Sequence, residues 1–250
     1  MSIEHLTIAQ PSPELLRLEE TALFLDLDGT LAPIAARPQD VRPDPRRTSL
    51  LERLERRLDG RLAVISGRTL ADVDRILEGC VVSVAAVHGL VRRGPDGTLH
   101  QTAPNPQLPT AVAGFRTFAA RDGGLIVEEK AGLSVALHFR QARTYAEAAR
   151  TCARDLAQRT GLTLQEGDMV EELRTPGDSK GDSVRAFMAA APFAGAIPVF
   201  VGDDATDEAG FKAAQALGGA GVRIGASPAT AAQYALVGVE AALEWLEAAA

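Results

Sequence analysis

Cysteine is almost missing from this chain: Cys80 and Cys152 are the only two in 250 residues. They are too few and too far apart in sequence for a disulfide framework, and they read as small buried hydrophobes. No apolar run approaches the length of a membrane span. The start, Met1-Ser2-Ile3-Glu4-His5, lacks the basic region and apolar core of a signal peptide, so a cytoplasmic protein is expected. Also missing is a basic stripe or a run of lysines interleaved with aromatics, and the formal net charge is −7. Nucleic acid and anionic membrane are therefore not expected partners. What is present is 46% hydrophobic sequence, enough for one substantial core or two smaller ones sharing an interface. A monomer is expected.

The most informative segment is Asp26-Leu27-Asp28-Gly29-Thr30, directly after the apolar run Ala22-Leu23-Phe24-Leu25. Such a run bounded by carboxylates reads as a buried parallel strand delivering Asp26 and Asp28 to a crevice. Two carboxylates this close repel one another unless a cation sits between them or one carries a proton. Three more segments supply what the pair lacks. Arg61 to Ile65 reads as a second strand ending in Ser66-Gly67-Arg68, a natural cradle for an oxyanion or phosphate. Gly177-Asp178-Ser179-Lys180-Gly181 precedes a helical pattern and offers Lys180 as a fixed positive charge. Ile197 to Val201 is a strand ending in Gly202-Asp203-Asp204-Ala205-Thr206-Asp207-Glu208, whose hard oxygen ligands favour Mg²⁺.

Taken singly, each piece has a plainer reading. Asp-Gly closes ordinary strands, Ser66 can cap a helix, Lys180 can be a solvated lysine, and acids favour helix N-termini. Their order along one chain is what argues for chemistry.

Strands alternating with helices over the first hundred residues indicate a doubly wound, mostly parallel, Rossmann-like α/β sheet, with ligands beyond the strands' carboxyl ends. Asp44 is expected to cap a helix running to about Leu58, and Thr69 to Leu77 to form another. After the proline-rich stretch from Pro104 to Pro109 the pattern becomes helix, strand, strand, twice over. The spans are about 110–121, 124–129, 132–140, 144–160, 162–166 and 168–174, an α+β unit able to form one four-stranded antiparallel sheet. The α/β pattern resumes at Pro176. A core of 1–104 and 176–250 interrupted by an inserted unit of 105–175 is therefore expected.

The four segments in this order resemble the haloacid dehalogenase (HAD) superfamily of phosphotransferases. Within it, the chain is similar to the trehalose-6-phosphate phosphatase family. The residues carrying that likeness are Ser66-Gly67-Arg68, His88-Gly89, Glu128-Glu129-Lys130, Ala136 to Arg140, Glu172-Leu173-Arg174, Lys180-Gly181 and Gly202 to Glu208. One departure is visible: Glu171 precedes Glu172 where the family usually carries one acid, and Glu172 is the expected sugar contact from its place beside Leu173-Arg174.

The resemblance implies a HAD-like core with an inserted cap of the C2 type, and hydrolysis of trehalose 6-phosphate through an aspartyl-phosphate. It implies Asp26 as nucleophile and Asp28 as general acid and base. Mg²⁺ would be held by Asp26, Asp28 (through its backbone carbonyl) and Asp203, with Asp204 and Asp207 in supporting positions. Ser66, Gly67, Arg68 and Lys180 would bind the phosphoryl group. His88, Glu128, Lys130 and Glu172 would meet the sugar, with His138 and Arg140 as weaker candidates. The alternatives are another HAD sugar phosphatase, acting on sucrose phosphate, mannosylglycerate phosphate or a hexose phosphate, and a non-catalytic sugar-phosphate sensor.

Overall fold

The computed structural model describes residues 11–227 and 229–250; the N-terminal stretch from Met1 to His5 lies outside the described residues. The chain opens with β1 (Thr21–Leu25), α1 (Pro45–Arg57), β2 (Leu62–Ile65), α2 (Leu70–Leu77), β3 (Ser83–Ala86), β4 (Val91–Arg93) and β5 (Leu99–Gln101). There follow α3 (Leu108–Ala119), β6 (Ile126–Lys130), β7 (Ser134–His138), α4 (Ala146–Thr160), β8 (Thr163–Gly167) and β9 (Val170–Arg174). The last stretch holds α5 (Lys180–Met188), β10 (Ile197–Gly202), α6 (Glu208–Ala216), β11 (Ala220–Ile224), β12 (Tyr234–Leu236) and α7 (Val239–Ala249).

The larger sheet has the order β12-β11-β10-β1-β2-β3-β4-β5, parallel throughout except for the antiparallel pairs β3–β4 and β4–β5. Alternation along β1 decides which helices go where. Leu23 and Leu25 face the cluster containing Leu50, Leu51 and Leu54 of α1, Val73 and Ile76 of α2, and Leu246 of α7. Ala22 and Phe24 face the opposite cluster, with Val184 and Phe187 of α5 and Phe211 of α6. The sheet is thus buried on both sides, which its continuous apolar strands require. Strand order reverses between β1 and β10, so the crevice beyond their carboxyl ends is the place where this topology receives a ligand.

The helix expectations hold in detail. The Asp44 side chain accepts from Arg47 N and Pro45 opens α1; the Thr69 side chain accepts from Asp72 N at the start of α2. Pro109 lies inside the first turn of α3, because a proline there costs no backbone hydrogen bond. The hairpin β4–β5 and the short β12 extend the sheet beyond the strands anticipated from sequence.

The second sheet, β6-β7-β9-β8, is wholly antiparallel. Leu108, Ala111 and Phe115 of α3 and Ala149, Ala153 and Leu156 of α4 pack on one of its faces with Val135, Leu137 and Leu173. The other face looks toward the larger sheet. Two crossings join the sheets, one after β5 and one after β9, and they are tied together where Asn105 N donates to Thr175 Oγ1 at 3.1 Å. Cys80 and Cys152 are both free and only half-buried, at the edges of separate cores, which corrects the expectation of fully buried thiols.

Candidate active site

β1 ends at Leu25 and β10 at Gly202, so Asp26 and Asp203 emerge side by side at the point where strand order reverses. Gly29 turns the chain away with φ +86, and a Cβ there would lie 2.0 Å from Asp203 Oδ2. Only a residue without a side chain lets the two loops approach this closely. Carboxylate oxygens of Asp26, Asp203 and Asp207 lie within 4.8 Å of one another. Lys180, the first residue of α5, sets its Nζ 2.7 Å from Asp26 Oδ1 and 2.7 Å from Asp207 Oδ1.

Asp207 has a second task. Its Oδ2 accepts from the backbone N–H groups of Asp203 and Asp204 at 3.0 and 2.9 Å, and so shapes the acidic loop. Asp204 caps the following turn by accepting from Ala205 N at 2.6 Å. Asp207 is thus buried against Asp26 and Asp203 while it shapes the loop, and the Asp28 side chain is not among these three carboxylates.

The mutual repulsion expected of Asp26 and Asp28 is relieved by giving each its own cation. Arg68 grips Asp28 with both arms, Nε to Oδ2 at 2.6 Å and Nη2 to Oδ1 at 2.7 Å, and its third arm reaches the Pro38 carbonyl. The Arg68 guanidinium thus holds a carboxylate at the edge of the cavity. Ser66 is buried beside it, its Oγ accepting from Arg68 N at 3.2 Å.

The carboxylate group is short of positive charge. Burial pushes the Asp26 carboxyl well above the usual range, against the pull of Lys180, and Asp207 and Asp203 push it further. Burial, with repulsion from Asp207, raises Asp203 to about 7. Asp203 Oδ1 is buried and has no hydrogen-bond partner among the described residues. Hard oxygen donors, a buried orphan oxygen and excess negative charge suit a divalent cation such as Mg²⁺.

The opposite wall comes from the second sheet. Cross-strand register aligns Glu128, Ala136, Glu172 and Gln165 in one row across β6, β7, β9 and β8. Period-2 geometry puts these side chains on the face turned away from α3 and α4, together with Lys130 and His138. Lys130 Nζ donates to Glu172 Oε2 at 2.6 Å. Burial would raise Glu172, but Lys130 and His88 outweigh it and hold the carboxyl far below its ordinary value. Its Oε1 is buried and has no hydrogen-bond partner among the described residues. Glu128 Oε2 lies 2.8 Å from His138 Nε2, and Arg140 pairs with Asp168 at 2.9 Å.

A cavity of about 410 Å³ separates the two walls. It is lined by every site residue expected from sequence except Asp207, that is by Asp26, Asp28, Ser66, Gly67, Arg68, His88, Glu128, Lys130, Glu172, Lys180, Asp203 and Asp204. Among the polar lining residues not singled out from sequence are Gln165 and Arg223. Gln165 lies in a strand whose register is invisible in sequence, whereas Arg223, a lone basic residue in the buried strand β11, carried a signal. Arg223 Nη1 donates to the Asp204 carbonyl at 3.3 Å.

Known proteins share both the sequence and this architecture. The trehalose-phosphatase family model matches residues 24–239. Trehalose-6-phosphate phosphatase of Escherichia coli is 40% identical over 232 residues, covering 90% of this chain and 85% of the relative. The probable trehalose-phosphate phosphatase of Sinorhizobium fredii is 37% identical over 210 residues, covering 83% of this chain and 79% of the relative. The C-terminal domain of C. albicans trehalose-6-phosphate phosphatase superposes with a TM-score of 0.83 at 19% identity, covering 96% of this chain and 97% of that one, a likeness of fold. The architecture is the HAD-like α/β core with an inserted α+β cap. A match that spans both sheets and both walls of the cavity means that the chain belongs to the trehalose-phosphatase family.

Proposed function

We propose that this protein hydrolyses trehalose 6-phosphate to trehalose and phosphate with Mg²⁺. The observation that carries the reading is the pairing of walls: a buried carboxylate–lysine group at the strand ends faces a row of cap carboxylates and a lysine across one cavity. Residues 105–175 act as the cap over a core of 1–104 and 176–250.

Asp26 attacks phosphorus, the bond from phosphorus to the sugar oxygen breaks, and Asp28 gives its proton to that oxygen. Asp28 then takes a proton from water as the water attacks the aspartyl-phosphate, which frees phosphate and regenerates Asp26. Arg68 holds Asp28 in reach of both events. Lys180 and Ser66 meet the phosphoryl oxygens, and Lys180 also keeps Asp26 aligned. Asp26, Asp203 and the Asp28 carbonyl would hold Mg²⁺, with Asp207 and Asp204 behind them; the ion supplies charge neutralisation at the phosphoryl oxygens. Glu128, Lys130 and Glu172 bind sugar hydroxyls, which lets the cap close and exclude water.

Phosphate release from a panel of sugar phosphates, with Mg²⁺ and then with EDTA, tests the reading. Fastest turnover on trehalose 6-phosphate and its loss with EDTA are expected. Preference for sucrose phosphate, mannosylglycerate phosphate or a hexose phosphate would overturn the substrate, and no turnover of any ester would overturn the activity.

A further inference from the structure

One side-chain bridge crosses from the larger sheet to the cap and takes no part in the chemistry above. His88, just after β3, sets its Nε2 2.7 Å from the Gln165 side-chain amide and 3.4 Å from Glu172 Oε2. Gln165 and Glu172 are register partners on β8 and β9, so the imidazole meets two neighbours on one cap face at once.

The ring is built into its place. His88 has φ 58, in the left-handed region, and is buried. Its backbone N–H donates to the Ser66 carbonyl at 2.9 Å, and Val87 N donates to the Arg68 carbonyl at 2.8 Å. A Cβ on Gly67 would lie 2.4 Å from His88 Cε1 and Nε2, so the ring packs flush on the glycine between Ser66 and Arg68. Burial lowers the imidazole below its usual pKa, which keeps it neutral and able to accept or donate at Nε2. His88 and Gln165 line both the cavity described above and a second one of about 550 Å³ that reaches Arg174 and Ser179.

His88 Nε2 accepts from the Gln165 amide N–H, and the ring edge so fixed lies 3.4 Å from Glu172 Oε2, which takes its hydrogen bond from Lys130; the carboxylate is confined between the ring and the lysine, and its Oε1 has no hydrogen-bond partner among the described residues. Losing the His88 contact would free the carboxylate to rotate on Lys130 alone. We propose that His88 and Gln165 form a latch that positions Glu172, so that recognition of the disaccharide is set jointly by the cap and by the loop carrying Ser66, Gly67 and Arg68. The inference rests on the function proposed above. His88 is in this view a positioning residue, and Gln165 its partner across the gap.

The test pairs kinetics with a readout that needs no substrate. Gln165→Ala should lower kcat/KM for trehalose 6-phosphate by about tenfold, the size of one hydrogen bond to a charged network. Hydrolysis of p-nitrophenyl phosphate should change less than about twofold, since that ester has no sugar to place. In a His88→Asn background, chosen because Asn tolerates the left-handed backbone, Gln165→Ala should have almost no further effect. The ¹⁵N resonances of the His88 ring should shift on Gln165→Ala. Unchanged ring resonances, full additivity in the double variant, or equal loss on both esters would each overturn the latch. If the wild type fails on trehalose 6-phosphate yet hydrolyses the small ester, the proposed substrate falls, and the ring resonances alone decide the latch.

Discussion

Glu171 and Glu172 are neighbours in the chain and point to opposite sides of one strand. Glu172 faces the cavity and takes Lys130 at 2.6 Å; Glu171 faces α4, with Arg150 Nε at 3.6 Å and its Oε2 without a hydrogen-bond partner among the described residues. The register settles what adjacency in sequence left open, because Glu171 pairs with Leu137, a residue of the helix-side core, and Glu172 with Ala136.

Glu172→Ala should therefore lower kcat/KM on trehalose 6-phosphate by about ten- to thousandfold, matching one or two lost charge-assisted hydrogen bonds. Activity on p-nitrophenyl phosphate should stay close to wild type. Glu171→Ala should leave the ratio of the two activities unchanged. Steady-state kinetics on both esters checks the contrast, and equal loss in both variants would contradict it.

Glu171 also predicts a pH dependence of stability. Burial, with repulsion from Glu166, raises its carboxyl from 4.5 to about 7 in the folded chain. Folding thus favours the protonated acid, so its contribution is fully present below about 4.5 and is lost as pH rises through 7. Glu171→Gln should raise Tm at pH 8 by about 3 °C, or about 1 kcal/mol, and have a smaller effect at pH 5. Thermal unfolding at the two pH values is the check.

Asp26→Asn should abolish turnover, since an amide cannot form the aspartyl-phosphate. The change is isosteric and removes one of three crowded carboxylates, so Tm should hold within about 3 °C. Phosphate release together with a melting curve tests this. Substantial residual activity would remove Asp26 from the nucleophile's role.

Lys180→Ala should impair both chemistry and stability. It strips the cation from two buried carboxylates, and breaking buried pairs costs about 3–5 kcal/mol, so Tm should fall by about 10 °C. Added Mg²⁺ should recover part of the loss by binding the native carboxylate group, and EDTA should reverse the recovery. Scanning calorimetry with each additive reads this out. No response of the variant to Mg²⁺ would argue against a cation held by Asp26 and Asp203.

Local signals carried most of the architecture into the sequence. The apolar run before Asp26, the cap at Asp44 and the twofold helix–strand–strand pattern are all short-range features, and each element formed where its periodicity placed it. The hairpin β4–β5 was not anticipated: Gly94-Pro95-Asp96-Gly97 is a turn signal, but the strands it joins are only three residues each. Long-range pairing was not legible. Asp28 and Arg68 are 40 residues apart, and nothing local says that this arginine spends its guanidinium on a carboxylate. Gln165 reaches His88 only because β8 pairs with β9 in one register, and a slip of one residue would turn it to the other face.

The tie between Asn105 and Thr175 joins the two crossings at one point, which would be the pivot of any cap rotation and the origin of its lever arm. Lys130 and Arg174 stand at the pivot end of their strands, Glu128 and Glu172 two residues out, and Arg140 and Asp168 beyond the free ends, on the order of 15–20 Å from the pivot at strand spacing. Rotation about the pivot displaces each position in proportion to its radius. A small opening about the pivot would therefore break contacts at Arg140 while those at Lys130 barely stretched, and a bound molecule would come free from its outer end inward.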